Sequence, residues 1–308
     1  MGHTKKGLWR VSPSHIFELE LPLPNQEIMT REKTLLGFEE RYIKVRDRIR
    51  LLLNESEITT WNKRFHGGHL QLAKLIREQY PLVIFYGDVG TGKTETAECI
   101  ANRLVKESGV EDCMLFKLSN RVRGSGKVGE MSSLIAEGFQ KISSAAGKNR
   151  RAVLIIDEGD SLGAARSQEH SHHEDKVAVN TLIQGIDHLR RQGGRIVTFL
   201  CTNRLSAIDP ALYRRAALVE EFLRPNEEQR RALFQMDFAG LGSSTAQMTE
   251  LVHLTGAVGK LPTWTYSDIR SRLYPAALSK AFPARPLTFD DLLDAAKSIT
   301  PSPEIKDR

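Results

Sequence analysis

No run of about 18 apolar residues occurs in this 308-residue chain, so nothing in it has the length to cross a bilayer as a helix. Cysteine is scarce. Cys99, Cys113 and Cys201 stand far apart in apolar surroundings, which excludes a disulfide framework or a zinc-ligand spacing and fits core residues in a reducing compartment. The N-terminus, MGHTKKGLWRVSPSH, has basic residues but no apolar segment behind them. It also lacks a Ser or Thr at the sixth position, so neither a secretory signal nor N-myristoylation is expected. Neither sign of charge dominates: 44 Lys and Arg against 38 Asp and Glu leave +6. Basic clusters such as RDRIR and Arg190-Arg191 alternate with apolar residues at helical spacing, as on a solvated helix face. Internal repeats and low-complexity tracts are missing too. What remains is a cytoplasmic globular chain, 40% hydrophobic and 27% charged, long enough for one good-sized domain and a smaller one.

Residues 1–33 carry several prolines and no clear period, which predicts an irregular N-terminal arm. Helical periodicity follows over 34–53 and again over 57–79. From PLVIFYG (81–87) the chain alternates between apolar strands and helices. Strands are expected at 113–118, 152–157, 195–201 and 217–222, and helices at 93–107, 128–145, 174–190 and 206–213. Five such strands imply an α/β fold with a parallel sheet covered on both faces. Past Arg224-Pro225 the pattern is helical only, with segments beginning at Asn226 and at 244–255, 266–281 and 288–299. The predicted organisation is an arm (1–33), a large α/β domain (34–222) and a small helical lid (223–308).

The string Gly87-Asp88-Val89-Gly90-Thr91-Gly92-Lys93-Thr94 matches G-x-x-x-x-G-K-[ST], with the required strand before it and helix after it. Glycines let the backbone wrap a phosphate chain with its N–H groups inward, at a helix N-terminus that favours negative charge. Lys93 is suited to the β- and γ-phosphates of ATP and the Thr94 hydroxyl to Mg²⁺. Further on, the apolar strand AVLII ends in Asp157-Glu158, at the sheet end that faces the ligand crevice. Asp157 is the candidate second Mg²⁺ ligand, and Glu158 the group that orients and polarises the attacking water. Asn203, after the strand RIVTFLC, is placed to reach the γ-phosphate and that water. Arg214 and Arg215 follow a short helix and are candidates for an arginine finger offered to a neighbouring subunit, a device worth ~10³–10⁵ in rate.

These motifs, in this order and with the helical lid, resemble the AAA+ family over roughly residues 34–300. The resemblance implies ATP hydrolysis with Mg²⁺ in a homo-hexameric ring. Between 157 and 222, DEGDSLGAARS, VNTLIQGIDHLRR and TNRLSAIDPALYRRAALVEEF are similar to the pachytene-checkpoint remodellers, the thyroid-receptor-interactor-thirteen family. Members of that family unfold the N-terminal region of HORMA-domain proteins and release their partners. By this likeness Arg215 is the first choice for the finger and Arg214 the second. Arg270, or else Arg272, stands for the second sensor, although the motif's usual glycine is replaced. Leu36-Gly37 would lie against the adenine.

Two departures from the family pattern stand out. Lys127, ahead of Val128, stands where a pore loop normally carries an aromatic, which suits a weaker grip or an acidic substrate segment. The N-terminal adaptor-binding domain of eukaryotic members has no counterpart in about 33 residues, and a short form resembles the bacterial remodellers of antiphage cyclic-oligonucleotide systems (CBASS). There the target is a HORMA protein that activates a nucleotide cyclase. His170, His172 and His173 fall where a second pore loop is expected, and SQEHSHHED suits a flexible loop better than a metal site. The rival is a nucleic-acid-directed AAA+ machine, a loader or initiator. It would want a helix-turn-helix, zinc-finger spacing or a strongly basic domain, none of which is in the sequence. A nucleotide-gated scaffold with little turnover is the third alternative, and the set Glu158, Asn203 and Arg215 speaks against it.

Overall fold

The computed structural model describes residues 16–53, 55–108, 112–119, 129–147, 150–162, 173–192 and 194–305. Its strands are β1 (Phe17–Leu23), β2 (Leu82–Gly87), β3 (Cys113–Leu118), β4 (Arg151–Ile156), β5 (Ile196–Thr202) and β6 (Leu218–Phe222). They form one sheet in the order β1-β3-β4-β5-β2-β6. All neighbours pair in parallel except β1, which runs antiparallel to β3 at the edge. This is the α/β sheet that the alternation predicts, with one strand added.

The added strand corrects the expected irregular arm. FELELPL alternates apolar and polar residues with the period of a strand, and pairs from Phe17↔Leu118 to Leu23↔Cys113. Pro22, which cannot donate to a ladder, is tolerated because β1 has one open side. Asn25 then caps α1 (Gln26–Glu32) by accepting from the N–H groups of Glu27 and Ile28. Phe17, Leu23 and Ile28 are buried in the sheet's own cores, so this segment is part of the large α/β unit.

The remaining helices are α2 (Phe38–Leu53), α3 (Glu55–His66), α4 (Gln71–Arg77), α5 (Lys93–Glu107), α6 (Glu130–Ala146), α7 (Gly159–Leu162) and α8 (His173–Arg190). After β5 come α9 (Pro210–Tyr213), α10 (Glu227–Asp237), α11 (Thr245–Leu254), α12 (Tyr274–Ala281) and α13 (Phe289–Ser298). The single helix predicted over 57–79 is two, α3 and α4. They are separated at Gly67-Gly68, where both residues take positive φ (59° and 84°) and break the helical ladder. The helix predicted over 266–281 begins as a π-helical turn, Asp268–Leu273. Pro275 has no N–H to return to the carbonyl four residues back and its ring crowds that carbonyl, so the ladder ahead of it widens.

Adjacent residues of β2 feed opposite faces. Leu82 and Ile84 join the core built with α6 and α8, while Val83 and Phe85 join the core built with α2 and α5. A third core, drawn largely from residues 233–299, is centred on Phe234, Trp264 and Leu292. Cys99, Cys113 and Cys201 are all buried and free, and burial raises each thiol to about 12. Among the described residues no helix is long and apolar enough to cross a membrane.

Candidate functional site

The carboxyl ends of the parallel strands open on a cavity of about 450 Å³. It is lined by Val89 to Thr96 of the phosphate loop and α5, by Asp157, Glu158 and Asn203 from the sheet, and by Tyr266, Ser267, Arg270 and Ser271 from the helical part. The loop leaves β2 at Gly87, whose φ of 139° is closed to other residues and whose Cα faces β6. A Cβ there would sit 2.1 Å from the Phe222 carbonyl oxygen. The chain then turns into α5 with Gly92 as its left-handed cap, leaving the first-turn N–H groups of α5 at the cavity.

Lys93 is buried, and its Nζ donates to the carbonyl oxygens of Gly87 (2.9 Å) and Asp88 (2.8 Å). Burial pushes its pKa down, against the pull of Asp157 and Asp88. Thr94 Oγ1 donates to Asp157 Oδ2 at 2.8 Å, so the two candidate metal ligands, one hydroxyl and one carboxylate, stand together. That pair is a hard-oxygen donor set, which fits Mg²⁺. Glu158 follows with φ = 49°, a left-handed conformation that costs a non-glycine residue energy and is typical of residues held in place at a site. Its N–H donates to Asp157 Oδ1 at 2.9 Å. Asp160 ties this turn to the end of β5, accepting from Thr202 Oγ1 (3.1 Å) and from the Asn203 N–H (3.3 Å).

Several predicted residues lie elsewhere. Gly87 and Asp88 contribute carbonyls to Lys93 but do not line the cavity. Asp88 turns its carboxylate to Arg224 instead. Gly37 also lies off the cavity wall, in a turn with φ = 69°, whereas Thr34, Leu35 and Leu36 form that wall. Of the two sensor candidates, Arg270 lines the cavity and is forked on Asp237 (2.9 and 2.8 Å) with a third bond to the Thr34 carbonyl (2.8 Å). Arg272 points to Asp268 instead, at 3.2 Å. Arg215 is outside the cavity and forked on Asp187 (2.7 and 3.1 Å) beside the Tyr80 ring, while Arg214 is exposed. Lys127, Val128, His170 and His172 lie outside the described residues.

Sequence patterns missed three cations. Arg41 of α2 lines the cavity with its guanidinium 4.0 Å over the Phe222 ring, and burial lowers its pKa. Arg31 of α1 lines it too, paired at 2.6 Å with Glu98. Lys117 of β3 is held by Glu18 at 2.8 Å and lies 3.7 Å from Asp157. Burial works against its charge, but the two carboxylates outweigh it and raise the pKa. Lys117 had a visible signal, being the one charged residue in the strand CMLFKL.

The class follows from comparison with known proteins. Residues 83–224 match the model of AAA, the ATPase family associated with various cellular activities. CD-NTase-associated protein 6 from Escherichia coli strain KTE188 is 60% identical over 297 residues, covering 96% of this chain and all of the relative. A protein with the same designation from E. coli strain MS 115-1 is 37% identical over 309 residues, 97% of this chain and 99% of that one. The chain therefore belongs to the CD-NTase-associated protein 6 family, a Trip13-like branch of the AAA ATPases. Solved structures share the fold, two of them over almost the whole chain. A chain of the E. coli MS115-1 HORMA:CdnC:Trip13 complex superposes with a TM-score of 0.86 at 36% identity, covering 96% of this chain and all of that one. Rhizobiales Trip13 follows at 0.69 and 29%, covering 94% and all of it.

Proposed function

We propose that this ATPase forms a ring and spends ATP hydrolysis on remodelling or partly unfolding a HORMA-domain protein, so separating that protein from a nucleotide cyclase in antiphage signalling. The observation that carries this is the end-to-end likeness to a chain of a HORMA:CdnC:Trip13 complex, which leaves no part of that chain unmatched. One cavity supplies the chemistry. Phosphate-loop amides and Lys93 would hold the triphosphate, Thr94 and Asp157 the Mg²⁺ that screens its charge, and Glu158 and Asn203 the water. Arg270, from a lid spanning 223–308, would sense the γ-phosphate. Arg215 would reach the nucleotide of the neighbouring protomer in a homo-hexamer, after giving up Asp187. Val128 and Lys127 would touch the threaded substrate, and the setting is the cytoplasm.

The test is a trap. Glu158→Gln protein held in ATP is incubated with extract of the native host, and bound protein and nucleic acid are identified. Recovery of a HORMA protein, alone or with a cyclase, supports the proposal. Recovery of DNA or replication factors in their place overturns it.

A further inference from the structure

Arg224 and Asp88 form a largely shielded ion pair, each side chain 9% exposed, at the junction of sheet and helical part. Arg224 sits two residues past β6 and three before α10. Its Nε donates to Asp88 Oδ2 at 2.6 Å and Nη2 packs against the same oxygen. Nη1 donates to the carbonyls of Thr263 and Ser302 (3.1 Å to the latter), and Nη2 to that of Pro303 (3.0 Å). One guanidinium thus bonds three separate stretches of chain: the phosphate loop, the loop before the π-helical turn, and the C-terminal segment. Rigid planar donors of this kind suit such a role, since the geometry of one bond fixes the others.

Asp88 closes the network from its side. Its Oδ1 accepts from the Val89 N–H at 2.8 Å and from the Ile305 N–H at 3.4 Å. Ser302 is fastened to Asp268 through its hydroxyl (2.6 Å) and its N–H (3.2 Å), and Asp268 also binds the Thr265 N–H (3.0 Å). The circuit returns to the phosphate loop at Gly90, whose carbonyl accepts from the Ser267 N–H at 3.2 Å. The approach is close enough that a Cβ on Gly90 would lie 2.6 Å from Ser267 Cβ. Asp88 and Gly90 flank Val89, which lines the cavity, and the same turn that carries Ser267 carries Arg270 into it.

We propose that Arg224 and Asp88 are positioning residues for nucleotide binding: through this circuit they hold the phosphate loop and Arg270 in register with each other. The proposal rests on the assignment of the phosphate loop given above. Asp88 occupies a variable position of that loop. On this account its carboxylate serves the loop's anchorage, and the loop's N–H groups and the Lys93 acceptors at Gly87 and Asp88 are pre-set by it.

The test is a double-mutant cycle on the full chain, with Asp88→Asn, Arg224→Gln and the double variant, and Arg224→Lys as the conservative form. Readouts are the dissociation constant of a fluorescent ATP analogue with Mg²⁺, KM and kcat for ATP, and far-ultraviolet dichroism. Each single substitution is expected to weaken nucleotide binding and raise KM about tenfold, with kcat at saturating ATP nearly unchanged. The double variant is expected to be no weaker than the worse single one. Should Arg224→Gln fail to fold, near-isosteric Asp88→Asn alone decides. Affinities within twofold of the wild type, additive losses in the double variant, or losses confined to kcat would overturn the proposal. A wild-type chain that itself binds no ATP would instead overturn the phosphate-loop assignment.

Discussion

The Thr94 hydroxyl donates to Asp157 Oδ2 across 2.8 Å, joining the start of α5 to the end of β4. Two residues 63 positions apart thereby present one hydroxyl and one carboxylate to the same point of the cavity. If that point holds Mg²⁺, Thr94→Ala is expected to raise the metal concentration for half-saturation at least about tenfold, since well-oriented ligand shells carry that much affinity. Mn²⁺ binding in the presence of a non-hydrolysable nucleotide, followed by electron paramagnetic resonance, measures this directly. An unchanged metal affinity would remove Thr94 from the ligand set.

Lys93 and Glu158 separate binding from chemistry. Lys93→Ala removes the buried cation whose Nζ bridges the loop carbonyls, and nucleotide binding is expected to fall below detection. Glu158→Gln keeps shape and hydrogen bonding but loses the carboxylate proposed to polarise water. It is expected to bind ATP normally and to turn over ~10²–10⁴-fold more slowly. Calorimetric titration and phosphate release distinguish the two. Tight ATP binding by the lysine variant would be incompatible with the phosphate loop as described.

The two arginines of the π-helical turn should part company. Arg270 lines the cavity with its guanidinium held by Asp237 and the Thr34 carbonyl, so Arg270→Ala is expected to weaken ATP about tenfold or more. Arg272, paired with Asp268, is expected to leave ATP affinity within about twofold when replaced. Titration of both variants with ATP and with ADP checks this, and equal losses would reopen the choice between them.

How much of this was legible beforehand depends on whether the information is local. Gly87 to Thr94 and Asp157-Glu158 are contiguous strings whose chemistry is written in their order, and the flanking apolar runs announce the strands that deliver them. Arg31, Arg41 and Lys117 could not be assigned this way. Each reaches the site only because α1, α2 or β3 packs where it does, and a lone cation on a helix has many innocuous uses. Asp88 illustrates the opposite limit. It lies inside the motif, yet Arg224, 136 residues away, draws its side chain off the nucleotide side. The strand β1 was obscured by Pro22 and the neighbouring Pro24, although the alternation of Phe17, Leu19, Leu21 and Leu23 is plain once β3 offers an edge.

Asp268 gives the C-terminal helical part a pH signature. It is 1% exposed. Burial alone would raise its pKa, but bonds from Ser302 and Thr265 outweigh this and hold the carboxyl below its ordinary 3.8. The folded state therefore binds this proton less readily than the unfolded chain. The stability it confers is fully present above the unfolded value, and is lost as pH falls through the folded one. The gap in Tm between wild type and Asp268→Asn is expected to be constant from about pH 8 to pH 5 and to shrink below about pH 4. Thermal unfolding across that range checks it, and a gap that persists undiminished to pH 3 would show that the anionic form is not what stabilises this part of the chain.

Arg215 poses the sharpest test of assembly. Its guanidinium is forked on Asp187 of its own chain, beside Tyr80 and away from its own cavity. Asp187 raises its pKa further, so the cation is permanent. On the proposed assembly, a residue so placed would contribute to hydrolysis by meeting a nucleotide held on another protomer. Arg215→Ala is expected to leave ATP affinity intact and to lower turnover of the assembled protein ~10³-fold or more, with Arg214→Ala close to wild type. The discriminating measurement mixes Arg215→Ala with Glu158→Gln chains, each inactive alone. At interfaces where Glu158 comes from one variant and Arg215 from the other, a complete site is rebuilt, and phosphate release is expected to reappear and to peak near equal proportions. If the mixture stays silent although the two chains demonstrably co-assemble, Arg215 does not act between subunits, and its bond to Asp187 is structural.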